Sequence, residues 1–229
     1  MQSKRGIVLW LGLILFAMAV LMNIFGGIGT SCVAFNLEAF PKYSMIADYQ
    51  WLWQSFVVVT TLIGFAGLIA LIAMFKGRKG AFTASLIILI LGAIVGGIHM
   101  GASDAIIGKA APANVKFFAN FAAMIYFIVL AFPGMKKFRD NFAQSTKTNK
   151  KNAAGVTSII AGLVLITMPI WAGPSHMIGG VNLVNVLSTE IMVISIVLLA
   201  IGIAFIVSPI IVPLIDRLKT NSTARKLES

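Results

Sequence analysis

Six long apolar runs constrain this chain more than any other feature of its sequence. They occupy residues 6–28, 51–75, 81–101, 117–135, 153–172 and 191–215. Each run has about 19–25 residues, enough to cross a hydrocarbon core of about 30 Å at 1.5 Å per residue. None alternates strictly between polar and apolar positions, as the strands of a membrane barrel do. The runs therefore predict an all-α membrane protein with six transmembrane helices.

The composition supports a membrane environment. Hydrophobic residues make up 59% of the chain and charged residues 11%, which is less than half of the usual charged share of about 25%. A water-soluble fold of this size could not bury so much apolar surface, so lipid is the expected surrounding of the helices.

The basic residues lie almost entirely on one side of the predicted spans. Of 18 lysines and arginines, only Lys42, Lys109 and Lys116 fall between spans on the other side. Cytoplasmic loops carry an excess of these residues, so we predict three helical hairpins in the cell membrane with both termini in the cytoplasm. The net charge of +11 then reflects topology, and no nucleic-acid partner is expected.

A polar segment at residues 136–152 divides the single membrane domain into two parts. Residues 1–135 form a four-span part, and residues 153–229 form a two-span part with a short basic tail. The segment carries six basic side chains, for which we predict contact with anionic lipid or an acidic partner at the cytoplasmic face. These side chains are Lys136, Lys137, Arg139, Lys147, Lys150 and Lys151.

Glycines at helical spacing predict close packing on two of the spans. Gly64 and Gly67 lie on span two, and Gly92 and Gly96 lie on span three. Small residues in such positions let a neighbouring helix approach closely. His99 continues the stripe of Gly92 and Gly96, so we expect it to face the bundle and to need a hydrogen-bond partner there. A packing role is the favoured interpretation of His99.

A second interpretation of His99 is metal or haem ligation. Cys32, His99, Met100, His176 and Met177 all lie near the outer ends of the predicted spans. Thiolate, imidazole and thioether groups suit Cu(I), and Zn²⁺ accepts the cysteine and histidine members of the set. The two histidines are also the ligands that a b-type haem would need. No pair has a metal-binding spacing, so we expect no cofactor, with copper and haem b as the alternatives.

Charges are predicted to be absent from the middle of every span. Lys116 is assigned to the second outer loop, residues 102–116, and Asp104 to a turn that ends span three. Proton relays and ion-coupled transporters usually hold a charge near the midplane, and no Ser/His/Asp or Cys/His arrangement has a catalytic spacing. We therefore predict a non-enzymatic component of a larger membrane assembly, packed against other subunits or against itself.

Two alternatives to the assembly component remain open at this point. One is a small-solute transporter or a substrate-binding membrane subunit for an uncharged compound. The other is a haem or copper protein that uses the outer histidine, methionine and cysteine residues.

The topology generates a labelling prediction. A membrane-impermeant thiol reagent should react with Ala47→Cys in intact cells and with Ser145→Cys only after the cells are opened, each in a Cys32→Ser background. The reverse pattern would invert the orientation.

Overall fold

Helices make up nearly all of this protein. The structure is a computed structural model that describes residues 2–110, 113–140, 147–171, 177–178 and 180–227. Six helical segments in these residues are long and apolar enough to cross a membrane, which confirms the prediction of six helical spans and indicates a multi-pass membrane protein. The elements are α1 (Gln2–Phe35), α2 (Gln50–Phe75), α3 (Ala81–Ile107), α4 (Ala113–Ala131), α5 (Lys136–Arg139), α6 (Lys147–Ile166), α7 (Met168–Trp171), β1 (Met177–Ile178), β2 (Val181–Asn182), α8 (Leu183–Val186) and α9 (Ser188–Leu227).

Helices α1 and α3 extend beyond the C-terminal ends of the spans predicted from the apolar runs. Helix α1 continues to Phe35, so Cys32 lies within a helix. Helix α3 continues to Ile107 and stops at Gly108, whose φ of 71° is left-handed and whose N–H donates to the carbonyl of Asp104 at 3.0 Å. Asp104 therefore lies inside the helix, and the prediction that it ends the span in a turn is wrong.

The fourth helix also begins earlier than its apolar run. Helix α4 starts at Ala113, which places Lys116 in its first turn, and Lys116 is only 4% exposed. The assignment of Lys116 to an outer loop is therefore wrong. The prediction that no charge lies in the middle of a span is unaffected, because Lys116 is at the start of α4.

The connection between α1 and α2 folds over one end of the bundle. It contains two 3-10 helices, Leu37–Ala39 and Pro41–Tyr49, and Ile46 in the second is fully buried. Gln50 anchors the connection, because its Nε2 donates to the carbonyl of Ala34 at 3.0 Å near the end of α1. We call the buried group at this end the cap cluster; it comprises Ala34, Ile46, Trp53 and Val57.

A larger apolar cluster fills the other half of the bundle. Its aromatic centre is Phe127 of α4, whose ring lies 5.7 Å from that of Phe16 on α1 and 5.2 Å from that of Phe82 on α3, measured between centroids. We call this group the inner cluster; among its buried members are Leu9, Leu13, Phe16, Val20, Leu71, Met74, Leu89, Ala123, Phe127 and Leu130.

Glycines bring α1 and α2 into close contact. A Cβ on Gly64 would lie 2.6 Å from Ile24 Cγ1, and a Cβ on Gly67 would lie 2.6 Å from Val20 Cγ2. Residue numbers rise along α2 from Gly64 to Gly67 while those of their partners on α1 fall from Ile24 to Val20. The two helices therefore run in opposite directions. Helix α1 also contacts α4 and α6, so it is the helix that joins the two parts of the chain.

Helices α3 and α4 pack in the same way. A Cβ on Gly92 would overlap the side-chain amide of Asn120, and a Cβ on Gly96 would lie 3.2 Å from the Cα of Phe117. Real Cβ atoms do not approach other heavy atoms as closely as the first contact requires. Helix α3 therefore needs a residue without a side chain, Gly92, where Asn120 crosses it.

The pair formed by α6 and α9 is packed through glycines too. Gly155 and Gly202 meet each other, since a Cβ on Gly202 would lie 2.7 Å from the carbonyl oxygen of Gly155. Gly162 meets Leu199 two turns further along α6. The span within α9, Ser188–Pro209, is the least buried of the six spans in the described residues.

The close contact at Gly92 gives a stability prediction. Gly92→Ala should push Asn120 out of position and lower the free energy of unfolding by about 1–3 kcal/mol, the usual cost of overpacking. Gly101→Ala, on the same helix, is the matched control, because a Cβ there would meet no heavy atom within 4 Å. Thermal unfolding in detergent measures both variants, and equal melting temperatures would contradict the packing at Gly92.

Candidate functional site

Five polar side chains from four helices form a layer across the interior of the bundle. Each of them is at most 4% exposed, so the layer is closed to the surroundings of the protein. We call this group the polar layer; it comprises Asn23 of α1, Thr60 of α2, His99 of α3, and Lys116 and Asn120 of α4.

Lys116 is the centre of the polar layer. Its Nζ donates to Thr60 Oγ1 at 3.1 Å and lies 2.9 Å from His99 Nδ1. A lysine ammonium carries three N–H donors and no acceptor, so Nδ1 has to accept. We therefore assign the hydrogen of a neutral His99 ring to Nε2. The two side-chain partners of the amine are both uncharged in this assignment.

The aliphatic part of Lys116 reaches the amine position along helix α1. A Cβ on Gly26 would lie 3.3 Å from Lys116 Cδ, so this glycine leaves the space that the lysine stem occupies. The stem of a long cationic side chain packs favourably on apolar surface while its head finds polar partners. Here the head is directed into the bundle rather than toward water.

Aromatic rings hold the imidazole of His99. The ring of Phe56 stacks on it with centroids 4.4 Å apart and planes 14° apart. Trp53 meets it edge-on at 6.2 Å and 85°. Both aromatic residues come from α2, one and two turns before Thr60. The imidazole is thereby fixed between aromatic rings and the lysine.

The two asparagines bind each other across the bundle. Each Nδ2 donates to the other Oδ1 at 3.0 Å, which makes a reciprocal amide pair between α1 and α4. The Nδ2 of Asn120 also donates to the backbone carbonyl of Lys116 at 2.8 Å. The pair is therefore hydrogen-bonded to the same helical turn that carries the lysine. Such bonds join helices because an unsatisfied polar group in an apolar interior is costly.

The polar layer lies between the cap cluster and the inner cluster. On α2, for example, Val57 of the cap cluster precedes Thr60, and Leu71 of the inner cluster follows it. His99 lies eight residues before the end of α3 and Thr60 ten residues after the start of α2. At 1.5 Å per residue, these positions place the layer about 12–15 Å from the two helix ends. Both of these helix ends are on the side of the cap cluster, the inner cluster lies on the other side, and Lys116 itself is in the first turn of α4.

Of the residues proposed from sequence, the structure brings His99, Gly92 and Gly96 to this region. Gly92 faces Asn120 directly, and Gly96 faces Phe117 one residue after Lys116. Gly64 and Gly67 lie in the interface of α1 and α2 described above.

Of the five residues of the polar layer, only His99 was proposed as a site residue from sequence, and for Lys116 a sequence signal exists. Lys116, Asn120, Ala123, Phe127 and Leu130 are all buried on α4, and they recur at alternating spacings of four and three. This is the spacing of one helical face. Counting Lys116 on that face would have placed the lysine inside the bundle.

The candidate metal ligands other than His99 are not part of the polar layer. Cys32 lies partly buried on α1, Met100 lies partly buried beside His99, and Met177 lies exposed in β1. His176 is outside the described residues. Among the residues that the structure describes, no three His, Cys, Asp or Glu side chains are grouped to hold a metal ion.

The basic segment is described in part. Lys136, Lys137 and Lys151 are exposed, while Arg139 is partly buried and donates from Nη1 to the carbonyl of Ala131 at 3.3 Å. Lys147 and Lys150 lie in the first turn of α6, and their side chains are outside the described part of the chain.

Comparisons with known proteins do not identify a family for this chain. No protein-family model, no curated protein and no solved structure matches this chain. The chemistry of the layer is therefore the basis for any functional conclusion.

Proposed function

We propose that this multi-pass membrane protein binds a small compound at the polar layer and that Lys116 recognises a carbonyl or anionic group of that compound. The observation that carries this proposal is a lysine amine buried between the helices of the bundle, with a hydroxyl and an imidazole as its side-chain partners. Ionisable groups inside membrane bundles are rare, and they mark substrate or ion pathways more often than structural positions.

The energetics favour a ligand over a purely structural role. Burying a charged group costs several kcal/mol even after the protein relaxes, and hydrogen bonds between membrane helices contribute about 0.6 kcal/mol each. Two bonds to neutral groups therefore offset little of the cost. An acceptor group on a ligand would use the third N–H of the ammonium and supply the missing stabilisation.

The cap cluster and the inner cluster, on either side of the polar layer, suggest how a ligand would reach the site. Apolar clusters on both sides support a proposed occluded site, which a ligand would enter only when one cluster opens. The cap cluster is the candidate gate, because one of its four members, Ile46, comes from the 3-10 segment Pro41–Tyr49 and not from a long helix. We assign the protein to non-enzymatic binding or transport on this basis.

The proposed topology is three hairpins in the cell membrane with both termini in the cytoplasm. The opposite directions of the paired helices support the hairpins, and the distribution of basic residues supports the orientation. The burial of Lys116 strengthens that distribution, because only Lys42 and Lys109 then remain as exposed basic residues at the outer end.

A second candidate function is a structural component of a larger membrane assembly. The low burial of the span Ser188–Pro209 favours it, because a helix with so little of its surface buried in its own chain leaves most of that surface for other subunits or a second copy. Lipid covers such a helix equally well, so this candidate depends on co-purification of a partner.

The function of Lys116 is tested by Lys116→Met. We expect a small molecule to co-purify with the wild-type protein from its own membrane and to be absent from the variant, as measured by mass spectrometry of the extracted protein. The melting temperature should stay the same or rise, since the lost hydrogen bonds cost about 0.6 kcal/mol each and an apolar residue removes the buried charge.

Two further variants separate binding from folding. Lys109→Met removes an exposed charge and should keep the bound molecule. His99→Gln keeps an acceptor beside Lys116 and should retain more of the molecule than His99→Leu does. A wild-type protein that carries only partner subunits, together with a Lys116→Met variant that fails to fold, would contradict the binding function and favour the assembly component.

A further inference from the structure

A cavity of about 370 Å³ lies at the end of the bundle opposite to the cap cluster. It is bounded by the end of α2, the turn at residues 77–80, the first turns of α3 and the α4–α5 connection. The floor is apolar and includes Met74, Phe82 and Leu86. The rim carries three basic side chains, Arg78, Lys79 and Arg139, and one acid, Asp140. The cavity is therefore amphipathic, with a net positive rim.

Arg139 is held in place at this rim. Its Nη1 donates to the carbonyl of Ala131 at 3.3 Å, and its Cζ lies 6.0 Å from the centroid of the Phe82 ring. The ring of Phe82 in turn stacks on Phe127 of the inner cluster. A guanidinium has five N–H donors in a planar fork, so one bond to a carbonyl leaves donors for an anion. Arg78 and Lys79 are exposed beside it and add charge.

The position of the cavity indicates which kind of anion it would bind. Helix α2 ends at Phe75, α3 begins at Ala81 and α4 ends at Ala131, so the rim lies where three spans leave the apolar part of the membrane. Lipid phosphates lie at this level, and basic pockets between membrane helices bind anionic headgroups there. The apolar floor fits the part of a lipid adjoining its headgroup.

We propose that this cavity is a binding site for the phosphate group of an anionic phospholipid, held by Arg139, Arg78 and Lys79 above the apolar floor. The proposal is independent of the function of the polar layer, which lies on the other side of the inner cluster. It also differs from general attraction by the basic segment 136–152, because Arg139 is the single basic residue of the described part of that segment that lines the cavity, and Arg78 and Lys79 come from the turn between α2 and α3.

The test uses the full-length protein in nanodiscs of phosphatidylcholine with a minor share of phosphatidylglycerol, with retained lipids counted by native mass spectrometry. Wild type should retain phosphatidylglycerol preferentially. The double variant Arg78→Gln/Lys79→Gln should weaken retention about fivefold for each charge removed. Both residues are exposed, so folding should not change. The matched control is Lys136→Gln/Lys137→Gln, which removes two exposed charges outside the cavity and should weaken retention less than the cavity variant does.

Three outcomes would overturn the proposal. The first is a wild-type protein with no preference for phosphatidylglycerol, and the second is an equal loss of retention in the cavity variant and the control variant. The third is displacement of the lipid by millimolar inorganic phosphate, which would identify free phosphate as the ligand. Arg139→Lys provides a separate check, because it keeps the charge but loses the planar fork and should weaken retention.

Discussion

The arrangement of the polar layer is set by the burial of one amine. Lys116 places an ammonium among apolar helices, where it is tolerated only with polar partners, and those partners have to come from neighbouring helices. Thr60 and His99 meet it from α2 and α3, while the asparagine pair ties α1 to the same turn of α4. In membranes, apolar side chains distinguish poorly between lipid and protein, so hydrogen bonds of this kind set which helices meet and in which register.

The glycines follow from this requirement. A polar layer that joins four helices needs backbones close enough for short side chains to reach each other, and Gly92 provides that closeness where Asn120 crosses α3. Gly26 does the same for the lysine stem. Apolar clusters then close the layer on both sides. A site with this construction is suited to holding a polar group away from water, which is the property that the proposed ligand site uses.

Sequence reasoning reached the spans but not the centre of the site. The lengths of the apolar runs are a direct physical measure of membrane crossing, so all six spans were predictable. The ends of α1, α3 and α4 were not, because short flanks of small and polar residues carry no hydropathy signal. The orientation of His99 toward the bundle followed from the stripe of glycines on α3. The position of its partner Lys116 did not, because composition assigns a lysine beside a proline-containing loop to water. Only the spacing of the buried residues on α4 indicates that Lys116 lies inside.

The central claim is that the Lys116 amine lies inside the bundle. Amine-reactive labelling of the protein in opened native membranes, followed by peptide mass spectrometry, measures this directly. Lys42 and Lys109 are exposed and should be modified, whereas Lys116 should remain unmodified until the protein is denatured. Modification of Lys116 in the folded protein at the same rate as Lys109 would place the amine in water and contradict both the polar layer and the function derived from it.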